Sequence, residues 1–472
     1  MEVRLPESMP DIGSVLAAWG QVLLRGKEWR GNSVGISGGV MAWVLYRSED
    51  GDELQSVEAW IPFQTKWDVP QTDRDGTLCA ACHLRNIDAR TLSARKLMIR
   101  AGVSILPEVL EPVQLEFFRP NHVPKDVFLL TRNYPVRVYR EAGEKSFALD
   151  EEISVPVTVG QVERLIRWEM MPEITDRKVM SGKVVFRGSV GVHMLFLDQE
   201  HKIKSWDFEV PFSQFEELQG EYGPEAEARI IAAVTGMELD VTDPDRLHLK
   251  AGLVGQYMIF ERTILEIVAD AYSNDRTVHP ICREFPIPAI LDDRAVTVKL
   301  EGKAECQGQR ILDAAFMLEQ PAVQQEETAK LRQRGSWQVL LENEEGHLFG
   351  QVLYGEHEEH FPADENCRVS ADAVATGVHK TELLGGQLDA YSEILVDSQG
   401  VMDQGLTLVA GLELGEAVKP DPDRPSMILR RTGTDCLWDI AKANGSTVEA
   451  IRTANRLDGD PREGQMLLIP VL

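Results

Sequence analysis

The sequence lacks a long hydrophobic run, an N-terminal export signal and a dense set of cysteines. No stretch approaches the roughly 18 apolar residues that a membrane-spanning helix needs, and Met1–Gly13 carries acidic residues and prolines instead of an apolar run. Six cysteines in 472 residues do not make a disulfide framework, so reduced thiols are expected. These absences predict a protein without a membrane span that remains in the cytoplasm.

Positive charge is also scarce. Lys and Arg number 49 against 76 Asp and Glu, which gives a net charge of −27. Because phosphate groups are bound by clustered Lys and Arg, we expect no nucleic-acid partner. The composition, 43% hydrophobic and 26% charged, is that of a globular protein, and the length predicts three or four domains.

Short runs with period-two alternation predict antiparallel β-hairpins. The runs Gly38–Tyr46 and Gly188–Phe196 are each followed by an acidic turn and a second alternating run. That second run ends in a Pro-Phe pair in both places, at 62–63 and 211–212. Helical patterns are sparse before residue 415, and the clearest are Val15–Leu24 and Phe215–Tyr222.

A second pair of matching segments indicates an internal duplication. Leu97–Val103 resembles Leu247–Leu253, which begins 150 residues later, at nearly the same distance from the Pro-Phe pair. A third, degenerate copy is indicated by Gly335–Leu341, by His360–Pro362, where the Pro-Phe order is reversed, and by the strand-like run Gln387–Tyr391. The body is therefore predicted to be mainly β, with tandem antiparallel β-rich domains.

The last residues follow a different pattern, β-α-α-β. Met427–Arg431 and Met466–Ile469 are predicted strands, and Cys436–Ala443 is a predicted helix that ends at Asn-Gly. Ser446–Glu449 has the pattern of a capping box, in which the Ser446 hydroxyl opens a second helix that ends near Asn455.

This tail resembles a LysM domain. Thr434–Ala441 fits the opening pattern Gly-Asp-Thr-Leu-Trp-x-Ile-Ala, Asn455 fits the asparagine of the second helix, and Gly464–Pro470 fits the closing Gly-Gln-x-Leu-x-Ile-Pro. The resemblance implies a small βααβ domain. It also implies a groove for N-acetylglucosamine polymers between the loop before the first helix and the loop after the second.

Three positions in these loops depart from the family pattern. Thr434 replaces a glycine, Cys436 replaces a hydroxyl residue, and Arg456 replaces a proline. A β-branched residue restricts the backbone that glycine leaves free, and a thiol is a weak hydrogen-bonding group. We therefore expect the groove to serve protein docking. The predicted partner-binding residues are Thr434, Asp435, Cys436, Trp438, Asn455, Arg456 and Leu457.

The repeated body resembles the SPOCS domain of spore-coat proteins. The features that carry the resemblance are Gly188–Phe196, Pro211–Phe212 and Leu247–Leu253, together with their counterparts in the first copy. The predicted domains are a first SPOCS-like repeat over 1–120, a second over 133–275, a degenerate third over 293–415, and the LysM domain over 426–472.

SPOCS-like repeats followed by one LysM domain resemble the SipL-like family of clostridial spore-morphogenesis proteins. The resemblance implies a non-enzymatic assembly protein in the mother-cell cytoplasm at the forespore surface, docking through its LysM domain on a SpoIVA-like coat ATPase. Two alternatives stay open: a peptidoglycan-binding protein, and a carbohydrate-active enzyme with an unrecognised site.

Three segments have residue types that are typical of chemical motifs. Cys79–His83 fits a haem-attachment pattern, but it is predicted to be a strand, where residues three apart face opposite sides. His357–His360 lacks the four-residue spacing of zinc proteases and is predicted to be a loop or strand end. Gly35–Gly39 lacks the strand-to-helix context of a nucleophile elbow and is predicted to be the turn that opens the first hairpin. No metal, no cofactor and no enzymatic activity are expected.

Overall fold

The computed structural model describes residues 1–50, 53–70, 76–111, 118, 123–325, 329–361, 367–418 and 423–472. Strands take up 76% of the structure and helices 3%, so the predicted mainly-β class is confirmed. The strands of the first copy are β1 (Glu2–Arg4), β2 (Ile12–Arg30), β3 (Ser33–Ser48), β4 (Leu54–Asp68), β5 (Thr77–Ser93) and β6 (Lys96–Leu110).

The strands continue through the rest of the body. They are β7 (Val127–Ser154), β8 (Val162–Met180), β9 (Lys183–Asp198), β10 (Ile203–Glu217), β11 (Glu227–Asp243), β12 (Arg246–Ser273), β13 (Arg276–Glu305), β14 (Arg310–Leu318), β15 (Ala322–Gln325), β16 (Ala329–Glu342), β17 (Leu348–Phe361), β18 (Cys367–Leu384) and β19 (Gln387–Ala417). The tail holds β20 (Met427–Arg431), α1 (Leu437–Ala443), α2 (Val448–Asn455) and β21 (Met466–Pro470).

The first two copies have the same strand order. The sheet β2-β3-β4 corresponds to β8-β9-β10, and β1-β6-β5 corresponds to β7-β12-β11. Irregularities of register recur 150 residues later, at 12–14 and 162–164, at 24–26 and 174–176, and at 84–86 and 234–236. Because β-bulges are specific local features, this correspondence confirms the duplication that the sequence predicts.

The third copy repeats the first of these sheets with one interruption. Strands β14, β16 and β17 pair in the order seen for β2, β3 and β4, and β15 also pairs with β16. The break between β14 and β15 contains Pro321, which cannot donate to a strand ladder. The predicted Pro362 lies outside the described residues.

One central position differs in chemistry among the copies. Ala17, Arg167 and Asp313 each lie directly after a register shift, and each pairs with a leucine of the neighbouring strand. The guanidinium of Arg167 and the carboxylate of Asp313 are fully buried, with Nε and Oδ2 2.8 Å apart. The second and third copies are therefore joined by a buried ion pair at a place where the first copy has a methyl group.

Two predicted helices are wrong. Val15–Leu24 lies within β2, and Phe215–Tyr222 contains the end of β10 followed by irregular backbone. In β2, Ala17 and Trp19 belong to one hydrophobic cluster, while Ala18 belongs to another. A strand that is buried on both faces loses its alternation of polar and apolar residues, which is why the segment resembled a helix.

The predicted turn at Gly35–Gly39 is also wrong, because these residues lie inside β3. The turn lies earlier, at Gly31, whose φ is +58°. A Cβ on Gly39 would come within 2.3 Å of the Trp60 ring on the neighbouring strand. Glycine is needed there so that the aromatic ring can lie against the backbone.

The chain forms two compact units. Unit 1 comprises Met1–Pro112, Val138–Glu261 and Ile290–Met402. Unit 2 comprises Val113–Arg137, Arg262–Ala289 and Asp403–Leu472, and it includes the tail. The four domain limits expected from the sequence, 1–120, 133–275, 293–415 and 426–472, stay a prediction.

Candidate functional site

The predicted βααβ order of the tail is confirmed. Strands β20 and β21 pair antiparallel, and the two helices pack on one face of this two-stranded sheet. The side chains that form the core between them are Leu437, Ile440, Ala441, Ile451, Leu467 and Ile469. This small core fixes the two loops that the sequence identifies as the docking groove.

The loop before α1 is exposed. Thr434, Asp435 and Cys436 are all solvent-accessible, and the Asp435 carboxylate accepts a hydrogen bond of 2.5 Å from Arg430. Cys436 occupies the N-cap of α1 without capping it through its side chain. Its thiol instead donates to Asp439 Oδ2 at 3.0 Å. Partial burial and this bond raise the pKa of Cys436, so the thiol stays protonated at neutral pH.

The loop after α2 is held by Asn455. Its Nδ2 donates to the Leu468 carbonyl at 2.6 Å, and its Oδ1 accepts from the Leu468 amide at 2.7 Å. The next residue, Arg456, is exposed and has φ +52°, in the left-handed region. Proline, fixed near φ −65°, could not take this conformation. Leu457 packs partly against the core. Asn455 is therefore structural in this fold, and the loop has a backbone course that proline would not allow.

The predicted capping box is wrong by one residue. The N-cap of α2 is Thr447, whose hydroxyl accepts from the Ala450 amide at 3.0 Å. Ser446 is fully buried, and its carbonyl accepts a hydrogen bond of 2.9 Å from the Tyr272 hydroxyl. Ser446 thus faces the strands of unit 2 instead of opening the helix.

Trp438 is covered by the end of β12. The residue is 8% exposed, its Nε1 donates to Asp270 Oδ2 at 2.8 Å, and its ring meets the Tyr272 ring edge-on at a centroid distance of 4.7 Å. Sequence reasoning missed Asp270 and Tyr272, because they lie more than 160 residues before the tryptophan.

Asp270 also binds α1 through Lys442, whose Nζ lies 2.8 and 2.7 Å from the two carboxylate oxygens. Burial raises the pKa of this carboxyl, but the hydrogen bonds from Lys442 and Trp438 outweigh burial and lower it. Burial and the nearby Asp270 raise the pKa of Tyr272 to about 12. An ionised carboxylate and a protonated phenol together anchor α1 on strand β12.

A polar cleft of about 550 Å³ lies beside this anchor. It is lined by Leu130, Arg132, Tyr134, Ala269, Asp270, Gly405, Leu406, Thr407, Cys436, Trp438 and Asp439. Of the seven predicted docking residues, the cleft brings together only Cys436 and Trp438. The other five lie outside its lining.

The cysteine motif of the body lies in a strand, as predicted. Cys79 and Cys82 are part of β5, where residues three apart point to opposite faces. Burial raises the pKa of Cys79 to about 11 and that of Cys82 to about 12. His357–His360 lies at the end of β17, which confirms the predicted strand end. In the described part of the chain, no cluster of three His, Cys, Asp or Glu side chains is placed to hold a metal ion.

Comparison with known families matches two segments. Residues 161–242 match the family "SipL, SPOCS domain", and residues 435–470 match the LysM domain. No curated protein and no solved structure matches the chain. The SPOCS domain falls in the second copy and the LysM domain in the tail, which confirms the resemblance seen in the sequence.

The two matches indicate a sporulation protein with a module of the peptidoglycan-binding type. Both matched families are non-catalytic. Among the described residues, α1 and α2 are both far too short to cross a bilayer.

Proposed function

We propose that the chain is a non-enzymatic assembly protein of the spore coat, acting in the mother-cell cytoplasm at the forespore surface. Its SPOCS-like body is the scaffold, and its LysM domain docks on a SpoIVA-like coat ATPase. The pairing of a SPOCS domain with a LysM domain supports this role.

The observation that favours protein docking over glycan binding is that both loops of the groove depart from the LysM pattern. Arg456 takes a left-handed backbone where the LysM pattern has proline, and Cys436 presents a thiol already bonded to Asp439. The Trp438 ring, a candidate for stacking on a sugar, is bonded to Asp270. These features remove hydrogen-bonding and stacking groups from a sugar site and leave exposed charge, which favours a protein partner.

The test is capture of purified coat ATPase by the full chain and by Arg456→Glu. Reversal of an exposed charge should shift stability by under about 0.5 kcal/mol, whereas a reversed interface charge weakens binding strongly. We expect at least tenfold weaker capture at equal thermal stability. Lys442→Glu would confound folding with binding, because Lys442 pairs with Asp270. Arg452→Glu, which reverses an exposed charge on α2 one turn before Arg456, therefore serves as the control.

Peptidoglycan binding is the second candidate, because the LysM fold itself is intact. Sedimentation with insoluble peptidoglycan tests it directly. Retained sedimentation of both wild type and Arg456→Glu, with no capture of the ATPase, would replace the docking proposal by the glycan one. Fluorescence localisation during sporulation, with and without residues 427–472, tests the cellular site.

A further inference from the structure

The two-stranded sheet of the LysM domain, formed by β20 and β21, has an apolar outer face. Alternate residues of the two strands point away from the helices, and four of them are large and exposed: Met427 at 51%, Leu429 at 63%, Met466 at 51% and Leu468 at 40%. The inward residues Leu467 and Ile469 are fully buried. Scattered exposed leucines are ordinary, but a contiguous apolar strip on a small domain indicates an interaction surface.

The four side chains form one strip. Leu429 lies directly opposite Leu468, Met427 opposite Pro470, and Arg431 opposite Met466. The backbone amide and carbonyl of Leu468 both bond to Asn455, on the side away from β20. Leu429 and Leu468 are therefore a non-hydrogen-bonded pair, the kind in which side chains lie closest.

Asn455 also limits the ways in which a partner can bind. Since its amide occupies the free edge of β21 at Leu468, a partner strand cannot add at that position. The outer face itself stays open. Each strand of five residues is roughly 17 Å long, about three turns of an α-helix, so the strip matches one short amphipathic helix with apolar residues at i, i+3, i+4 and i+7.

Size and charge favour this occupant over a second copy of the chain. Four half-exposed side chains fall well short of the roughly 800 Å² per partner that a stable dimer buries. Arg431 lies on the same face and makes a hydrogen bond to the Gly464 carbonyl, with no carboxylate partner among the described residues. A helix with a carboxylate beside its apolar stripe would pair with this guanidinium.

We propose that the outer face of the LysM sheet, formed by Met427, Leu429, Met466 and Leu468, docks an acidic amphipathic helix of the partner protein. This inference rests on the proposed docking role and assigns it a second contact surface, separate from the loops around Arg456. The apolar strip supplies burial, and Arg431 sets the direction of the helix.

Capture of the coat ATPase by the full chain tests the proposal. Leu429→Glu should weaken capture at least tenfold, and Arg431→Glu should weaken it more at low salt than at high salt. Leu384→Glu, which alters an equally exposed leucine (68%) of unit 1, is the matched control and should bind like wild type. Thermal unfolding of each variant confirms equal stability. If Arg456→Glu loses the ATPase and Leu429→Glu retains it, the proposed function stands and this face is not used.

If the wild-type chain does not bind the ATPase, a designed peptide tests helix binding to this face directly. A designed helical peptide of about four turns, with Leu at i, i+3, i+4 and i+7 and Glu beside them, is titrated against the full chain by fluorescence anisotropy. We expect it to bind more tightly than a scrambled peptide and to lose that advantage in Leu429→Glu. Equal binding of both peptides would overturn the inference, as would a stable dimer of the full chain that Leu429→Glu abolishes.

Discussion

Two carboxylates hold parts of this chain together, and they differ mainly in burial. In unit 1, Asp313 accepts from Arg167 Nε at 2.8 Å, and its other oxygen lies 2.8 Å from His193 Nε2. In unit 2, Asp270 binds Lys442 and Trp438 at similar distances. The Asp313 side chain is fully buried, whereas that of Asp270 is 24% exposed.

The difference shows how the same chemistry serves two purposes. A fully buried charge pair gains little net stability, because desolvation offsets attraction, but breaking it leaves an uncompensated charge. Arg167 and Asp313 occupy corresponding places in the second and third copies, where the first copy has Ala17. The pair therefore fixes which copies adjoin there. The partly exposed Asp270 is screened by water, so it positions α1 at lower cost.

The largest expected effect follows removal of the buried carboxylate. Asp313→Asn removes the fully buried counter-ion of Arg167 and leaves the buried guanidinium with Glu169 alone, so the expected loss is about 3–5 kcal/mol of unfolding free energy. Chemical denaturation followed by circular dichroism measures it.

The control for this prediction removes both charges. Arg167→Met combined with Asp313→Leu should be closer to wild type in stability than Asp313→Asn, because the buried guanidinium is removed together with its carboxylate, and His193 keeps its bond with Asp207. A double variant as unstable as Asp313→Asn would mean that packing, and not the ion pair, determines the loss.

The next effect is on pH dependence. Burial lowers the pKa of His193, but its hydrogen bonds with Asp207 and Asp313 more than offset burial and raise it to about 9. Burial raises the pKa of Asp313, but the charge of Arg167 and the bond with His193 lower it to about 2. The histidine thus stabilises the fold fully below its ordinary pKa of 6.5, and this contribution is lost as pH rises towards 9.

The contribution of the Asp313 carboxylate to stability has the opposite dependence on pH. Its contribution is complete above the ordinary pKa of 3.8 and is lost as pH falls towards 2. The thermal midpoint of unit 1 should therefore be highest between about pH 4 and 6.5 and should fall on the alkaline side. His193→Gln should remove that alkaline decline, and an unchanged decline in the variant would assign it to other groups.

An intermediate effect is expected at the partly exposed carboxylate of Asp270. Asp270→Asn keeps the shape of the side chain but removes the charge that binds Lys442, and the expected loss is about 1–3 kcal/mol of local stability around α1. Hydrogen exchange of the α1 amides should accelerate accordingly. Protection equal to wild type would show that the Tyr272 contacts anchor the helix without Asp270.

Much of this architecture could be predicted from the sequence, because its signals are local. Alternation identified the hairpins, the recurrence at 150 residues identified the duplication, and Thr434–Ala441 identified the LysM domain. The error at Val15–Leu24 arose because a strand between two cores has no polar face. A local sequence pattern indicates which residues are buried, but it does not indicate which strand they pair with.

The site was less predictable, because its contacts are remote in sequence. Trp438 and Asp270 lie far apart in the chain, and no spacing rule connects them. Asn455 fits a family position, but its hydrogen bonds with the Leu468 backbone are visible only in the folded structure. The seven docking residues therefore stay a prediction, and the structure adds that Trp438 is covered by strand β12 while Arg456 is exposed.

The smallest expected effect concerns Arg456, which belongs to unit 2 like Asp270 but lies in the loop after α2. A non-glycine residue in the left-handed region costs roughly 1–2 kcal/mol, and glycine removes that strain at some cost in chain entropy. Arg456→Gly should therefore stabilise the LysM domain by about 0.5 kcal/mol, whereas Arg456→Pro, which restores the family residue, should destabilise it because φ +52° is closed to proline. Thermal unfolding of both variants, alone and combined with Asp270→Asn, measures the effect. Since no hydrogen bond or ion pair joins the side chains of Arg456 and Asp270 among the described residues, the changes should add. A more stable proline variant would show that the loop takes the family's course in solution.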